Sequence, residues 1–430
     1  MKLSKRTWIN IIMIGLMGQF AWTIENMYFN VFLYNTISTD PTYIANMVSA
    51  SAIVATLTTL FMGALSDKLG KRKLFITAGY ILWGLSTLAF RFITVENMMS
   101  RAVYDQIGIY IAMAARLVVI MDCVMTFFGS TANDAAYNAY ITDVTDGSNR
   151  GRVESVLATL PLISMLVIFG AFDPMTQQGK WAQFFTIFGL AITAVGIISL
   201  FTLEESAPRT EGSGYFKNIF YGFSPSVIKE NRMLYISLCA LGIYSISVQV
   251  FFPYLIIYLQ NYLNMDNYAI VLGVVLIFAS VVSIVSGKFI DQKGKMNFIM
   301  PAAAIMFAGL LGMFLARTMI AVIVAGAVMM SGYMLLSASL SGTVRDYTPE
   351  GKAGLFQGIR MIFAVLLPMV TGPYIGAAVI KNNTETYTDL GVVKNVPTPA
   401  IFLAAAAVLA LVLIPVILLK RNVNKNTKDI

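Results

Sequence analysis

Long apolar runs separated by short polar loops recur along the whole chain. An α-helix needs roughly 20 apolar residues to cross about 30 Å of hydrocarbon, and the sequence contains twelve runs of this kind. The pattern therefore predicts an all-α, polytopic membrane protein with twelve transmembrane helices. The predicted spans cover residues 8–36, 43–65, 74–95, 107–141, 153–173, 181–203, 232–262, 268–289, 297–316, 319–344, 353–380 and 397–419.

The composition agrees with this prediction. Of the 430 residues, 57% are hydrophobic and only 12% are charged, whereas a soluble domain carries about 25% charged residues. The first apolar run extends well beyond a signal-peptide core and lacks a small-residue cleavage site, so we interpret it as the first span. Cys123 and Cys239 lie in apolar runs, and histidine is absent. We therefore expect no disulfide framework, no metal site and no cofactor.

The net charge of +8 follows the predicted topology. Lysine and arginine are concentrated in alternate loops, and both chain ends belong to the basic set, which is the positive-inside pattern. This distribution predicts a multi-pass protein of the bacterial cytoplasmic membrane with both termini in the cytoplasm. It also explains the basic charge without a nucleic-acid partner.

Two loops share one motif and indicate an internal repeat. Residues 63–72 read GALSDKLGKR and residues 287–295 read GKFIDQKGK, so both follow the pattern G-x-x-x-D-x-x-G-basic. The loops after the fourth and tenth spans, DVTDG and DYTPEG, are also alike. These repeats predict an N-terminal six-helix bundle at 1–203, a cytoplasmic linker at 204–231 and a C-terminal six-helix bundle with a cytoplasmic tail at 232–430.

Charged residues in these loops are candidates for gating. A charged cluster at the cytoplasmic face can connect the two halves in one state and release them in the other. A turn with charges that only set the topology is the alternative. The gating candidates are Asp67, Lys71, Arg72, Asp143, Arg150, Asp291, Lys295 and Asp346.

With its paired motif loops, twelve spans and central linker, the chain resembles the major facilitator superfamily over its whole length. The resemblance implies two pseudo-symmetric bundles, a central cavity between spans 1, 4, 7 and 10, and a gating role for the motif loop. Residues 18–30, GQFAWTIENMYFN, resemble the first helix of glycoside–pentoside–hexuronide:cation symporters and related bacterial sugar carriers. That family usually has a longer loop around its aspartate, so the coupling ion stays open between H⁺ and Na⁺.

Three carboxylates within predicted spans are candidates for ion coupling. Glu25 lies in the first span, and Asp122 and Asp134 lie in the fourth. A charge in lipid costs several kcal/mol unless it is paired or faces water. At about 1.5 Å per residue, Glu25 and Asp122 reach similar heights in the outer half of the bilayer. Such groups can take up a proton or bind Na⁺, although a packing or gating role explains Asp134 equally well.

Polar stripes on spans 1, 4 and 7 are candidates for substrate binding. Amides and acids hydrogen-bond hydroxyl groups, and aromatic rings stack on sugar rings, so these stripes suit a polyhydroxylated ligand. Aromatic residues in membrane helices also serve packing, which is the alternative. The substrate-binding candidates are Gln19, Trp22, Asn26, Asn30, Asn133, Tyr137, Gln249 and Tyr254.

The leading functional prediction is uptake of a sugar or oligosaccharide, coupled to H⁺ or Na⁺, by a monomer in the lipid bilayer. Proton-coupled export of drugs or other amphiphiles is an alternative. Drug:proton antiporters, which the chain resembles in overall plan, typically carry a G-x-x-x-G-P-x-x-x-G motif in their fifth helix, and this motif is missing from span 5 here. A Gly372-Pro373 pair occurs in span 11, where a kink or packing contact explains it. A membrane sensor or a lipid flippase is a third reading. No Walker loop, zinc spacing or dinucleotide fingerprint occurs, so we expect no enzymatic activity.

The charge asymmetry makes the topology testable with a single introduced thiol. We expect a membrane-impermeant maleimide to label Lys420→Cys in inside-out vesicles and to leave it unlabelled in right-side-out vesicles. The background is Cys123→Ala with Cys239→Ala, which removes both native cysteines. Labelling in right-side-out vesicles would show that the carboxyl end is outside.

Overall fold

The computed structural model describes residues 3–98, 107–146, 149–205, 221–349, 356–382, 386–389 and 392–426. Within these residues, twelve helices are long and apolar enough to cross a membrane, which confirms the all-α, twelve-span prediction. Spans 1 to 12 are, in order, Lys5–Thr36, Pro41–Ser66, Arg72–Phe92, Gly108–Val144, Leu160–Gln177, Trp181–Thr202, Arg232–Tyr262, Tyr268–Ser286, Lys295–Leu315, Met319–Tyr347, Gly358–Lys381 and Ala400–Asn422.

The chain divides into two compact units, Met1–Phe216 and Lys217–Ile430. Spans 1 to 6 belong to the first unit and spans 7 to 12 to the second. The division falls within the segment 204–231 that the sequence predicts as a linker, of which residues 206–220 lie outside the described part of the chain.

Several spans of the first unit are composite, because a π-helical turn interrupts the α-helix. Its π-helices are Ile24–Tyr28, Ser130–Tyr137 and Ile168–Phe172, and Phe90–Phe92 is a 3₁₀ turn. Its α-helices are Lys5–Thr23, Phe29–Thr36, Pro41–Leu69, Arg72–Ala89, Val95–Met98, Ile107–Gly129, Asn138–Val144, Arg150–Leu157, Leu160–Val167, Asp173–Gln177 and Trp181–Thr202.

The second unit is built in the same way. Its π-helices are Tyr258–Tyr262 and Ile362–Leu366, and its 3₁₀ turns are Tyr221–Phe223 and Phe252–Tyr254. Its α-helices are Pro225–Glu230, Arg232–Phe251, Leu255–Ile257, Tyr268–Lys293, Lys295–Leu315, Met319–Tyr347, Gln357–Met361, Leu367–Lys381, Ala400–Ala410 and Leu413–Asn426.

Local sequence signals explain where span 2 begins and where its helix ends. The Asp40 side chain accepts a hydrogen bond from the Thr42 amide at 2.9 Å, and Pro41 occupies the first helical turn, where its missing N–H costs nothing. Gly70 ends the helix with a φ of 64°, a left-handed conformation that glycine adopts without a steric penalty. The second glycine of the first motif loop is therefore a helix stop.

Span 5 begins later than the sequence predicted. The prediction started it at residue 153, but Arg150–Leu157 is a separate helix and the span starts at Leu160. Pro161 lies in the first turn of the new helix. Because proline has no amide hydrogen to donate to the preceding turn, it begins a helix readily and interrupts one that runs through it. The boundary error therefore comes from reading across this proline.

A β-hairpin follows span 11, which the sequence analysis did not predict. Strands β1, Thr386–Asp389, and β2, Val392–Asn395, pair antiparallel, with Thr386 opposite Asn395 and Asp389 opposite Val392. Both strands are rich in β-branched residues, which favour extended backbone. That signal was present in the sequence and was read as loop.

Glycines allow spans 9 and 10 to approach each other closely. A Cβ atom added to Gly309 would overlap the backbone of Met329, and one added to Gly332 would overlap the backbone of Met306. Association of helices in lipid depends on such close packing, because apolar surface alone gives no preference for protein over lipid. The two glycines therefore fix the distance between these helices.

We expect Gly309→Ala to destabilise the second unit, because its methyl group has no room against Met329. Overpacking of this kind costs about 1–3 kcal/mol, so the thermal unfolding midpoint of the purified protein should fall. Gly108→Ala is the matched control, because a Cβ there meets nothing within 4 Å. Equal midpoints for the two variants would show that spans 9 and 10 are not in close contact.

Candidate functional site

Spans 1 and 4 bring two carboxylates together inside the first unit. Glu25 accepts a hydrogen bond at Oε1 from Thr126 Oγ1 of span 4, at 2.8 Å. Glu25 also interacts electrostatically with Asp122, one turn along span 4 from Thr126. Both carboxyl side chains are buried, with Glu25 7% and Asp122 1% exposed. Two of the predicted coupling residues therefore form a buried pair.

Each carboxyl group of this pair has one hydrogen-bonded side and one unsatisfied oxygen. Asp122 hydrogen-bonds with the side chain of Ser51 from span 2. Within the described residues, no hydrogen-bond partner reaches Glu25 Oε2 or Asp122 Oδ1. Two ionised carboxylates in dry surroundings repel each other and have lost their hydration. The chemistry of the pair therefore favours uptake of a proton or a monovalent cation.

A larger metal site does not occur in the described parts of the chain, where no three cysteine, aspartate or glutamate side chains lie close enough to hold a metal ion. The oxygen atoms at the pair include those of Glu25, Asp122, Thr126 and Ser51. Hydroxyl and carboxylate oxygens bind protons and hard cations alike. This donor set leaves H⁺ and Na⁺ both open.

The π-helical turns coincide with the candidate residues of spans 1 and 4. Glu25 lies in the π-helix Ile24–Tyr28, and Asn133 and Asp134 lie in the π-helix Ser130–Tyr137. A π-helical turn changes the helical phase and frees backbone groups, and such turns are frequent at functional sites. In span 1, a regular α-helical period would place Gln19, Trp22, Asn26 and Asn30 on one face. The π-helical turn rotates the residues after Ile24 away from that face.

Asp134 has its own hydrogen-bond network, which includes Trp22, and its charge also acts on Glu25. Ser130 Oγ donates to Asp134 Oδ2 at 3.2 Å, and Asn133 Nδ2 donates to Oδ1 at 3.3 Å. The side chain of Trp22 also hydrogen-bonds with Asp134, and its ring packs against Trp83 of span 3 at 4.9 Å between centroids. Asp134 is thus hydrogen-bonded on both oxygens, unlike Glu25 and Asp122.

The polar residues of span 1 differ in exposure. Gln19, Trp22 and Asn26 are half-buried, whereas Asn30 is fully buried. Asn26 and Asn30 each donate through Nδ2 to the backbone carbonyl one turn earlier, at 2.8 Å. The half-buried residues therefore remain accessible to a ligand, and Asn30 does not.

Asn133 and Tyr137 connect span 4 to its neighbours. Asn133 Oδ1 lies 3.0 Å from the hydroxyl of Tyr80 in span 3, and the Tyr137 hydroxyl donates to the carbonyl of Ile11 in span 1. Both side chains are buried. In this structure the two predicted ligand residues hold spans 1, 3 and 4 together.

The two candidates in the second unit lie where span 7 packs against span 11. The Tyr254 hydroxyl donates to the Pro373 carbonyl at 2.8 Å, and Tyr254 is fully buried. Gln249 is half-buried, and its Cβ blocks the space that a side chain at Gly372 would occupy. The Gly372-Pro373 sequence is accordingly a packing contact between helices.

Arg72 and Asp143 form a buried ion pair in the first unit. Arg72 Nε donates to Asp143 Oδ2 at 3.1 Å, and the two side chains are 3% and 6% exposed. Arg72 Nη1 also donates to Ser66 Oγ at 2.6 Å. The pair therefore joins the ends of spans 2, 3 and 4.

The second unit has an ion pair at the equivalent positions. Lys295, at the start of span 9, donates to Asp346 near the end of span 10 at 2.6 Å, and both side chains are partly exposed. Arg72 and Asp143 occupy the corresponding places in spans 3 and 4. Lys71 is exposed. The side chains of Asp67, Arg150 and Asp291 lie outside the described part of the structure.

Asp173 is a buried carboxylate that the sequence analysis missed. It is completely buried, accepts from the Tyr28 hydroxyl at Oδ1 at 2.8 Å, and accepts from Gln177 Nε2 at Oδ2 at 2.7 Å. The sequence prediction ends span 5 at Asp173, so it does not identify this residue as an intramembrane charge. Its place in a first helical turn before Pro174 was the signal available. It connects span 5 to the π-helical turn that carries Glu25.

Comparison with known proteins agrees with this architecture. The crystal structure of the nucleoside transporter NupG is similar, with 11% identity, a TM-score of 0.66, and coverage of 96% of this chain and 98% of that one. The D-xylose-proton symporter matches at 12% identity and a TM-score of 0.69, over 95% and 97%. The xylose transporter XylE from E. coli, in a partially occluded inward-open conformation, matches at 12% identity and a TM-score of 0.63. The match covers 94% of this chain and 97% of that one.

The sequence comparison shows the family. No curated protein sequence matches the chain. The family profile described as Major Facilitator Superfamily matches residues 11–373, which is most of the chain. The chain therefore belongs to the major facilitator superfamily, and it is a multi-pass membrane transporter and not an enzyme.

Proposed function

We propose that this transporter takes up a sugar or oligosaccharide together with a cation, H⁺ or Na⁺, by alternating access in a bacterial cytoplasmic membrane. The observation that carries the proposal is the buried Glu25–Asp122 pair, with one unsatisfied oxygen on each carboxyl group. No Walker loop for ATP occurs in this sequence. We infer that an ion gradient drives uphill transport.

Cation binding follows from the electrostatics of the pair. Thr126 and Ser51 each supply one hydroxyl group, which is too little to replace the hydration of two carboxylates. A proton or Na⁺ bound between Glu25 Oε2 and Asp122 Oδ1 removes the repulsion and satisfies both oxygens. The occupied pair then costs less to keep out of water. This difference couples ion binding to the change of state.

Substrate recognition rests on the accessible polar residues beside the pair. Gln19, Trp22 and Asn26 are half-buried on span 1, and Asp134 lies against Trp22. Amide and carboxylate groups hydrogen-bond hydroxyls, and an indole ring offers a stacking surface. The similar solved structures include proteins named as a nucleoside transporter and a D-xylose-proton symporter. Both names refer to polyhydroxylated ligands, which supports the same ligand class here.

The exchange between states is driven by differential binding. A ligand shifts the equilibrium only by the difference between its affinities for the two states. Glu25 belongs to a π-helical turn of span 1, and Tyr28 of the same turn hydrogen-bonds with Asp173. Movement of this turn therefore changes the contacts of Glu25 and Tyr28 together. We propose that this turn connects ion binding to the movement of span 1.

Counterflow in proteoliposomes tests the proposed function directly. A panel of radiolabelled pentoses, hexoses and disaccharides is exchanged against internal substrate, with and without an H⁺ or Na⁺ gradient. Exchange of at least one sugar, with accumulation that depends on one gradient, is the expected result. Exchange of amphiphilic drugs alone would identify an exporter. Absence of any exchange would instead indicate a sensor or a flippase.

We expect neutralisation of the coupling carboxylates to separate uphill from downhill transport. Glu25→Gln and Asp122→Asn each mimic a protonated side chain, so at least one should abolish accumulation and keep part of the counterflow activity. The dependence of substrate affinity on pH or Na⁺ should become flat in the same variant. Counterflow, accumulation and affinity are measured on the same proteoliposome preparations.

Asp134→Asn is the matched control for this experiment. Both oxygens of Asp134 are already hydrogen-bonded by protein groups, so it has less need of a cation than the pair. The variant should lower activity without removing the ion dependence. Wild-type ion dependence and accumulation in both Glu25→Gln and Asp122→Asn would exclude the pair as the coupling site.

A second prediction concerns the cytoplasmic motif loop. We expect Arg72→Ala and Asp67→Asn to slow counterflow far more than they weaken equilibrium substrate binding, because the loop lies at the end of the spans and Glu25 lies within one. Loss of affinity with normal exchange of the bound substrate would contradict a gating role. Lys295→Ala serves as the comparison, because it breaks the partly exposed ion pair with Asp346, whose charges are already screened by water.

Stability must be measured in the same variants. Arg72→Ala alone removes one member of a buried ion pair, which costs about 3–5 kcal/mol. Adding Asp143→Asn removes the charge of the other member, so thermal stability should partly recover. Turnover that recovers in parallel would assign the defect of Arg72→Ala to folding; turnover that stays low would assign it to gating.

A further inference from the structure

A groove in the second unit lies between spans 7 and 12, away from the carboxylate pair. Its volume is about 500 Å³, within the range of roughly 300–1,000 Å³ typical of pockets that hold small ligands. Apart from one arginine, the wall is formed by apolar side chains and a cysteine. The main lining residues are Tyr235, Cys239 and Ile243 of span 7 and Ile414, Pro415 and Leu418 of span 12.

A break in span 12 accounts for the groove. The span consists of the helices Ala400–Ala410 and Leu413–Asn426, with a turn between them. Pro415 has no amide hydrogen to donate to the carbonyl of Leu411, so the helical ladder is interrupted at this turn. The walls on both sides of the break belong to membrane-spanning helices. The groove therefore lies along two membrane-spanning helices, next to the turn in span 12.

The groove is accessible from the lipid phase. Ile414 is 60% and Leu418 is 40% exposed, and Cys239 of span 7 is exposed as well. Apolar side chains that are exposed on a membrane span face hydrocarbon and not water. A flexible apolar chain is thus the kind of molecule that matches the body of the groove.

Cationic side chains lie at one end of the groove. Arg232 is part of the lining, at the start of span 7. Arg421 follows Leu418 by three residues, so it extends the same face of the last helix. Lys229 is exposed on the helix Pro225–Glu230 just before span 7. Glu230 is also exposed there, but the net charge at this end of the groove is still positive.

We propose that this groove is a binding site for an anionic phospholipid, from the leaflet that faces the basic loops. One acyl chain lies along the apolar wall between spans 7 and 12. The phosphate group lies at the end formed by Arg232 and Arg421. Basic pockets between membrane helices bind anionic head groups in this way, whereas a zwitterionic lipid gains less from the same cations. The site lies in the second unit and is independent of the proposed substrate and ion.

Cys239 provides a reporter inside the groove. In a Cys123→Ala background it is the single cysteine of the chain. We expect phosphatidylglycerol added to the detergent-purified full-length protein to slow alkylation of Cys239 by a small maleimide. Phosphatidylcholine with the same acyl chains should protect only at several-fold higher concentration. Equal protection by both lipids, or no protection by either, would exclude an anionic lipid site.

Charge variants give the second arm of the test. Arg232→Gln and Arg421→Gln should each raise the phosphatidylglycerol concentration needed for half-protection by about fivefold, since one cation near an anionic lipid contributes roughly that factor. Arg317→Gln is the matched control, because Arg317 is an exposed arginine of the same unit at the other membrane end. Unchanged half-protection in both groove variants, or an equal change in the control, would overturn the proposal.

Native mass spectrometry makes the result independent of cysteine chemistry. Wild type should retain phosphatidylglycerol in preference to phosphatidylcholine from an equimolar mixture, and Arg421→Gln should lose that preference. Protection of Cys239 before any lipid is added, with no change on addition, would indicate that residues of the protein cover the groove. That outcome would also exclude lipid as the occupant.

Discussion

Removing a carboxylate from water costs several kcal/mol, and the way spans 1, 2 and 4 pack follows from the need to offset that cost. Thr126 donates to Glu25, and Ser51 hydrogen-bonds with Asp122, so each helix supplies a polar group to another. These contacts satisfy only part of each carboxyl group. The remaining deficit is the reason for our proposal that the pair binds a cation and is not only a packing contact.

Two other buried carboxylates of the first unit have partners, and their contacts hold the helices around the pair in position. Asp173 has both oxygens bonded, to Tyr28 of span 1 and to Gln177. Arg72 neutralises Asp143 at the ends of spans 3 and 4. Because a satisfied buried network is rigid and costly to break, these contacts fix the helices around Glu25. The contrast between satisfied and unsatisfied carboxylates separates structural from functional candidates within one bundle.

The two units share a plan but not a chemistry. Lys295 and Asp346 join the ends of spans 9 and 10 as Arg72 and Asp143 join those of spans 3 and 4, yet they are partly exposed, and the repeated motif aligns Lys295 with Lys71, the neighbour of Arg72. In the second unit the corresponding helix contacts rely on glycine packing and on the Tyr254 hydroxyl bonded to a backbone carbonyl. The proposed ion site thus belongs to the first unit, and the proposed lipid groove between spans 7 and 12 belongs to the second.

The sequence by itself determined the number of spans, most of their bounds and the motif loops, because apolar length, a helix-starting residue such as Pro41 and a helix-ending residue such as Gly70 act locally. It also identified Glu25 and Asp122, since a charge in an apolar run is conspicuous. Only the tertiary structure decided which groups become partners: Thr126 with Glu25, or Asp173 with Tyr28. The π-helical turns shift the helical phase after residue 24, so a regular period could not predict those faces. Partner choice depends on how helices distant in sequence pack, and local sequence does not encode that.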